Sequence, residues 1–376
     1  MSLSRRRMMY GLVGLAGMTR NMTALHAHHH APRFSKRAYR ASLDAAGAMA
    51  ESVPGVSGQG DLKFKVLYTS DHLPPEAQKV LKDAHGGFAV DRRPGRDETY
   101  FALPGAGIIQ ISSDCKTISM VETPDEMRKI NLHDTNIWYG TDGTPFLVFP
   151  ANGEGKIFTT TLDGRLVNKL DAPTASDNFE QPEVHDYLLG GGNFAPTAVE
   201  YLEGLYYVTT GYCNLDYVLT ARLSPDASQV AWNDLAWGGK GDAIGKFRTG
   251  HGITKPPGLV RLDVADRPNS RFERFTRYGH YLSGLAMPSG SLPCDINYLD
   301  QRYSVVPALE GPDKKKGAPI YILENEKLVS TIMIKEDLGL PNFVHIHNAA
   351  IRKIGEKFYI MALAWNPGDF AILEQA

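Results

Sequence analysis

The sequence predicts an all-β fold, a six-bladed β-propeller of four-stranded antiparallel blades around a central channel, on three observations. Past about residue 62 the chain is a succession of short β-branched or aromatic runs. Tight turns join those runs, and small or histidine-bearing segments recur with a period near 50.

The runs are Phe64 to Tyr68, Gly107 to Ile111, Pro145 to Phe149, Lys156 to Thr161, Leu205 to Thr209, Ile320 to Leu323 and Lys357 to Met361. They are four to six residues long, as strands in meanders are. Helical periodicity is confined to Pro75 to Asp83 and Asp125 to Lys129. Asp163-Gly164 is the turn of a tight hairpin, and Thr276 to Leu282 holds the equivalent place after Arg274-Phe275. Gly140 to Pro145 and Glu203-Gly204 make a second, matching pair of turns. Gly and Pro together, 37 and 23 residues, supply the turns that two dozen short strands need.

The period comes from His85-Gly86-Gly87-Phe88, Leu132-His133-Asp134, Ala195-Pro196-Thr197, Gly250-His251-Gly252-Ile253, Pro293-Cys294-Asp295-Ile296 and Ile346-His347-Asn348-Ala349. Marks at 85, 133, 196, 251, 295 and 347 are 48, 63, 55, 44 and 52 residues apart. Six units of about 52 residues occupy some 314, so the propeller is expected over 62–376, with 1–61 a separate basic segment. A closed ring explains a single domain of this length, since closure removes the sheet edges that promote aggregation.

With 40 Lys+Arg against 42 Asp+Glu the net charge is −2, but no acidic residue precedes Asp44 and eight basic ones do. The remainder holds 32 basic and 42 acidic residues, a net of −10, which excludes a nucleic-acid footprint on the body. No run reaches the ~20 apolar residues of a membrane span. Ser4-Arg5-Arg6-Arg7 before the weakly apolar Met8 to Met18 reads as a twin-arginine export signal, with a small-residue cleavage position at Leu25-His26-Ala27. This predicts a periplasmic or extracellular protein; a basic organellar presequence is the competing reading. Cleavage there exposes His28-His29-His30, a short cluster of the kind that is often incidental. Cys115, Cys213 and Cys294 lie far apart without a Cys-x-x-Cys pair, so neither a thiolate zinc site nor a disulfide framework is encoded.

Val264-Ala265-Asp266-Arg267-Pro268-Asn269-Ser270-Arg271-Phe272-Glu273-Arg274-Phe275 with Gly279 resembles the NHL repeat of six-bladed propellers, and His251-Gly252-Ile253 is similar to the start of its blade. The likeness is best over 245–300 and speaks to fold more than to function. In a propeller the first strand of each blade lines the channel. The recurring positions therefore converge, bringing His85, His133, His251 and His347 together with Asp295 and Thr197. Imidazoles with a carboxylate form a site for zinc, copper, iron or manganese, and an open coordination position makes such a site catalytic. The bland alternative is a set of channel histidines that are merely hydrogen-bonded, and four in register bring the two readings level.

The same spacing resembles peptidyl-α-hydroxyglycine α-amidating lyase, a propeller of this superfamily. That resemblance implies zinc held by His133, His251 and His347, with His85 and Asp295 as further lining. It also implies a tyrosine and an arginine at the metal, for which Tyr139 and Arg248 are the candidates, and a small organic or peptide-derived substrate. His345, two residues before His347, is either a second ligand or channel filler. His185 precedes the flexible Gly190-Gly191-Gly192 stretch and is either part of a lid or of a plain connection. Asp266, Arg267, Asn269 and Arg271 are expected to pair within and between blades, and Lys314 to Lys316 to form a solvated loop tip.

The leading expectation is thus a metal-dependent lyase or hydrolase with its site at one channel mouth. The alternative is a non-catalytic propeller that binds a protein, peptide or glycan through its blade-top loops, a reading that the Trp232 to Trp237 stretch supports. A sugar-lactone hydrolase, which needs acidic calcium ligands, ranks third because only Asp295 stands at a blade start. No Gly-x-Ser-x-Gly, phosphate-binding loop or dinucleotide fingerprint is present.

Overall fold

The computed structural model describes residues 55–376 and forms six antiparallel sheets arranged as propeller blades. The twin-arginine head, the cleavage position after Ala27 and His28 to His30 lie outside the described residues. The inner strands are Ala89–Val90, Asn136–Tyr139, Ala198–Leu202, Gly250–Thr254, Asn297–Tyr298 and Ile346–Ile354 in blades 1 to 6. Blades 1 to 5 each add three consecutive antiparallel strands outward.

Blade 6 differs from the expected run of six consecutive units. The chain ends at Ala376 after only three of its strands, and Leu62–Thr69 supplies the fourth by pairing with Asp369–Gln375. Ser57–Gln59 adds a fifth strand outside it. The ring is therefore closed by joining the two ends of the described chain in one sheet, which leaves no open gap between blades 1 and 6.

Middle strands such as Tyr217–Leu223 and Leu205–Thr209 are buried almost throughout because each packs between two neighbouring blades. That is why they read as continuous apolar runs rather than alternating ones. Outer strands such as Leu166–Asp171 do alternate, since one face meets water. The core is thus a series of wedges between blades, for example Trp138, Phe146 and Val148 against Val199, Tyr206 and Leu219.

Helices form at both expected places, Pro75–Val80 with a following turn to Asp83, and Asp125–Arg128. Two more, Pro182–Leu189 and Ile334–Leu338, lie in links between blades. Pro182 opens the longer one at its first turn and Gly190 ends it, the usual asymmetry of helix ends. Among the described residues no helix is long and apolar enough to cross a membrane.

Because every blade is an up-and-down meander, the starts of all inner strands share one face of the disc. The links between second and third strands and between successive blades lie on that same face. It is called the entry face below, and the inner strands end on the opposite, exit face.

Candidate functional site

His133, His251 and His347 stand at the starts of the inner strands of blades 2, 4 and 6. Each Nδ1 donates to the backbone carbonyl of the corresponding residue in the next blade. His133 bonds Thr197 at 2.6 Å, His251 bonds Cys294 at 2.8 Å and His347 bonds Gly86 at 2.9 Å. A carbonyl can only accept, so all three rings are Nδ1–H tautomers with Nε2 as the acceptor; His251 Nε2 accepts from the Tyr212 hydroxyl at 3.1 Å. The accepting positions carry the small residues Thr197, Cys294 and Gly86, and this alternation leaves room for three imidazoles. Their centroids lie 4.6 Å (133–347), 4.9 Å (133–251) and 5.0 Å (251–347) apart.

The Nε2 atoms of His133 and His347 are 3.1 Å apart. With both Nδ1 atoms committed as donors, two lone pairs face each other, an arrangement that a shared cation would relieve. A proton is disfavoured: burial drives the pKa values of His133, His251 and His347 well below the ordinary imidazole range, and neighbouring positive groups add to this. Metal ligation suits the geometry, since two nitrogens at 2.0–2.1 Å from one tetrahedral ion are about 3.3 Å apart.

His85, half-buried, closes over the group with centroids 4.5 Å from His133 and 4.4 Å from His347. Its ring lies between Trp365 (5.1 Å) and Tyr212 (6.3 Å), both inclined by 23°. Burial, with a smaller contribution from Arg267, pushes its pKa down to about 4. Ring nitrogens of His85, His133 and His347 all lie within 4.8 Å of one another.

Tyr212 and Arg267 complete the cluster. The Tyr212 hydroxyl is 3.1 Å from His251 Nε2 and receives a bond from Arg267 Nη1 at 3.0 Å. Burial raises the pKa of this phenol, and the Arg267 guanidinium opposes the rise. Both residues come from links between second and third strands, in blades 3 and 4, on the entry face. Sequence reasoning missed Tyr212, which no local motif marks, and set Arg267 aside as a blade-pairing residue. Its neighbours do pair as expected: Asp266 Oδ2 accepts from Asn269 at 2.6 Å and from Arg271 at 2.9 Å.

Tyr139 and Arg248 lie elsewhere. Tyr139 follows His133 by six residues, about 20 Å of extended strand, which carries it to the exit side. There its hydroxyl donates to Asp91 at 3.0 Å and accepts from the Arg92 amide at 2.9 Å. Arg248 is exposed in the link before blade 4, with its amide bonded to Asp266. His345 bonds Leu309 O through Nδ1 and sits 6.0 Å from the Trp365 ring, outside the histidine group. His185 lies on the helix Pro182–Leu189, with Nδ1 3.5 Å from Asp186.

Asp295 faces away from the imidazoles. Its carboxylate accepts from Thr254 Oγ1 (2.9 Å), the Ile296 amide (2.8 Å) and Asn348 Nδ2 (3.3 Å). A Cβ on Gly252 would come within 2.5 Å of Asp295 Oδ1, and one on Gly87 within 1.9 Å of Asp134 Oδ1, so both glycines make room for a carboxylate. Asp134, Glu200 and Asp295 line a cavity of about 190 Å³ toward the exit face, with Arg92, Lys255 and Tyr139 also in its wall. Burial raises all three carboxyls: Asp134 well above its usual range, with Asp295 adding repulsion, Asp295 to about 6 and Glu200 to about 7.

Glu200 thus keeps its proton in the native state over the pH range from its ordinary 4.5 up to about 7. Stability from this group is full below pH 4.5 and is lost as pH rises from there through 7, by about 3 kcal/mol. Glu200→Gln is expected to flatten that decline. In chelator-containing buffer the variant should melt above the wild type at pH 8 and no higher than it at pH 4.5; parallel stability curves would count against the assignment.

No known family pattern matches this sequence, and no curated protein is found to be related to it. Among solved structures, a gluconolactonase from Xanthomonas campestris superposes with a TM-score of 0.51 at 12% identity, over 86% of this chain and 98% of that one. The chain folds as a six-bladed β-propeller. Virginiamycin B lyase from Staphylococcus aureus is also similar, with a TM-score of 0.44 at 16% identity over 77% of this chain and 84% of that one. A catalytically inactive variant of that lyase with quinupristin matches at 0.43, again at 16% identity and with the same coverage. At 12% identity the likeness to the gluconolactonase carries the fold alone.

Proposed function

We propose that this propeller is a metal-dependent enzyme of lyase or hydrolase type, with its centre at the entry-face mouth. The observation that carries the reading is the set of three Nδ1–carbonyl bonds, which leave Nε2 of His133, His251 and His347 unprotonated, with His251 joining as a ligand in place of its bond from Tyr212. Such outer bonds fix the tautomer and raise ligand basicity. The donor set fits zinc, with copper or iron as the other divalent ions that imidazoles hold. When bound, the ion supplies Lewis acidity toward a hydroxyl or carbonyl oxygen of the substrate.

The protein's own groups do the rest. Tyr212, in the phenolate form that Arg267 against its oxygen favours, is the residue placed to accept a proton from a substrate hydroxyl and to return it to a leaving group. The Trp365 ring stacks on His85 at 5.1 Å and steadies it.

The amidating-lyase resemblance suggests an N-acyl-α-hydroxyglycine as substrate. In that reaction the hydroxyl loses its proton, the C–N bond breaks, the nitrogen gains a proton, and a primary amide and glyoxylate form. A tyrosine and an arginine beside the histidines are what the resemblance calls for, with Tyr212 and Arg267 in place of Tyr139 and Arg248.

Metal analysis of untagged protein tests the reading. Wild type is expected to carry about one equivalent and the His133→Ala/His251→Ala variant almost none, because two of three ligands are gone. Release of glyoxylate from N-benzoyl-α-hydroxyglycine should follow the metal content. No stoichiometric metal in the wild type, or equal metal in both proteins, favours the non-catalytic binding propeller instead.

A further inference from the structure

His85 differs electronically from the other three histidines. Its Nδ1 makes no bond to a carbonyl; it faces Asn131 Nδ2 at 3.0 Å. An amide nitrogen can only donate, so His85 Nδ1 is the acceptor and the ring proton sits on Nε2. The same Nδ2 also donates to Asn152 Oδ1 at 3.0 Å. Turning both amides over would keep that bond but strand the NH2 group where Asn131 Oδ1 now sits, buried without a partner. An orphaned oxygen is the more tolerable of the two. His133, His251 and His347 carry their ring proton on Nδ1, whereas His85 carries it on Nε2.

We propose that His85 is not a metal ligand but the hydrogen-bond donor to the substrate oxygen at this centre, and that Asn131, steadied by Asn152, is the positioning residue that fixes its tautomer. This rests on the metal-centre reading above. A neutral imidazole suits that role, because it donates to a developing oxyanion without adding a charge that would repel the cation. The ring's position between Trp365 and Tyr212 holds the donor in place. The class of ligand recognised is one with an oxygen that gains negative charge on binding, such as an α-hydroxy acid derivative or a hydroxamate.

The experiment uses the full-length, zinc-loaded protein. Zinc affinity is measured by chelator competition and acetohydroxamate binding by calorimetry, for wild type, His85→Ala, His85→Gln and Asn131→Asp. His85→Ala is expected to hold zinc within about 3-fold of wild type, yet to bind acetohydroxamate roughly 10–100-fold more weakly, the effect of losing a hydrogen bond to a charged oxygen. His85→Gln, which keeps an N–H donor, should recover most of that loss. Asn131→Asp should accept a proton from His85 Nδ1, free its Nε2 lone pair as a further ligand, and so raise zinc affinity about 10-fold or more. A 100-fold loss of zinc in His85→Ala would make His85 a ligand and overturn the inference while leaving the metal centre standing. Unchanged hydroxamate affinity in His85→Ala also overturns it. A wild type without stoichiometric metal removes both readings together.

Discussion

Phe64→Ala is expected to lower the free energy of unfolding by about 3–5 kcal/mol, a large share of the 5–15 kcal/mol that typically separates folded from unfolded states. Phe64 is fully buried in the strand that closes the ring, among Ile332, Ile334, Ile360 and Leu373. Removing its ring leaves a cavity that the neighbouring blade cannot fill, since its strands are held in register on both sides. The same change loosens the pairing of Phe64 with Gln375 and of Val66 with Leu373, the only seam joining the two ends of the described chain. Opening it uncovers the Asp369–Gln375 edge, whose Phe370, Ala371, Ile372 and Leu373 are all buried in the native ring. Aggregation on heating should therefore accompany the lower midpoint. Urea unfolding followed by tryptophan fluorescence measures the effect; a loss below about 1 kcal/mol would show that the N-terminal strand adds little to closure.

The second large effect is expected at Tyr212. Tyr212→Phe keeps the ring that packs 4.9 Å from His133 and 5.5 Å from His251, and removes only the hydroxyl. If that oxygen moves the proton, kcat on an N-acyl-α-hydroxyglycine should fall about 10²–10⁴-fold, the usual worth of a positioned acid or base. KM and bound metal should change little, because the three Nδ1–carbonyl bonds that set the ligands do not involve Tyr212. Arg267→Met should produce a smaller drop of the same kind together with an upward shift of the acidic limb of the rate profile, since the guanidinium is what opposes burial at the phenol and a base must first lose its own proton. Simultaneous loss of metal and activity in Tyr212→Phe would instead make the hydroxyl a structural partner of His251.

Much of the architecture was legible along the chain because a propeller repeats locally. The Asp163-Gly164 turn, the strand after Gly140 to Pro145 and the marks at 133, 251 and 347 follow from a blade's own connectivity, and each falls where expected. The strand around Phe64 was legible as a strand but not as the fourth member of blade 6, because its partner lies more than 300 residues away. The helix Pro182–Leu189 was read only as a link to the third blade, since Val184 alone among its residues is buried and the apolar periodicity is correspondingly weak.

The candidate site divides along the same line. Sequence alone determined that histidines recur at blade starts, and therefore that imidazoles meet on the channel axis: inner strands of equal direction put equal positions at equal depth. Only the tertiary structure decided the rest. It distinguished the three lone-pair imidazoles from His85, whose tautomer depends on an asparagine 46 residues away. It placed Tyr212 and Arg267, and not Tyr139 and Arg248, beside His251. It turned Asp295 toward a second, acidic cavity on the exit side. Hydrogen-bond direction and burial arise between blades, where residues without any shared local pattern come into contact, and no window of sequence shorter than the whole ring contains that information.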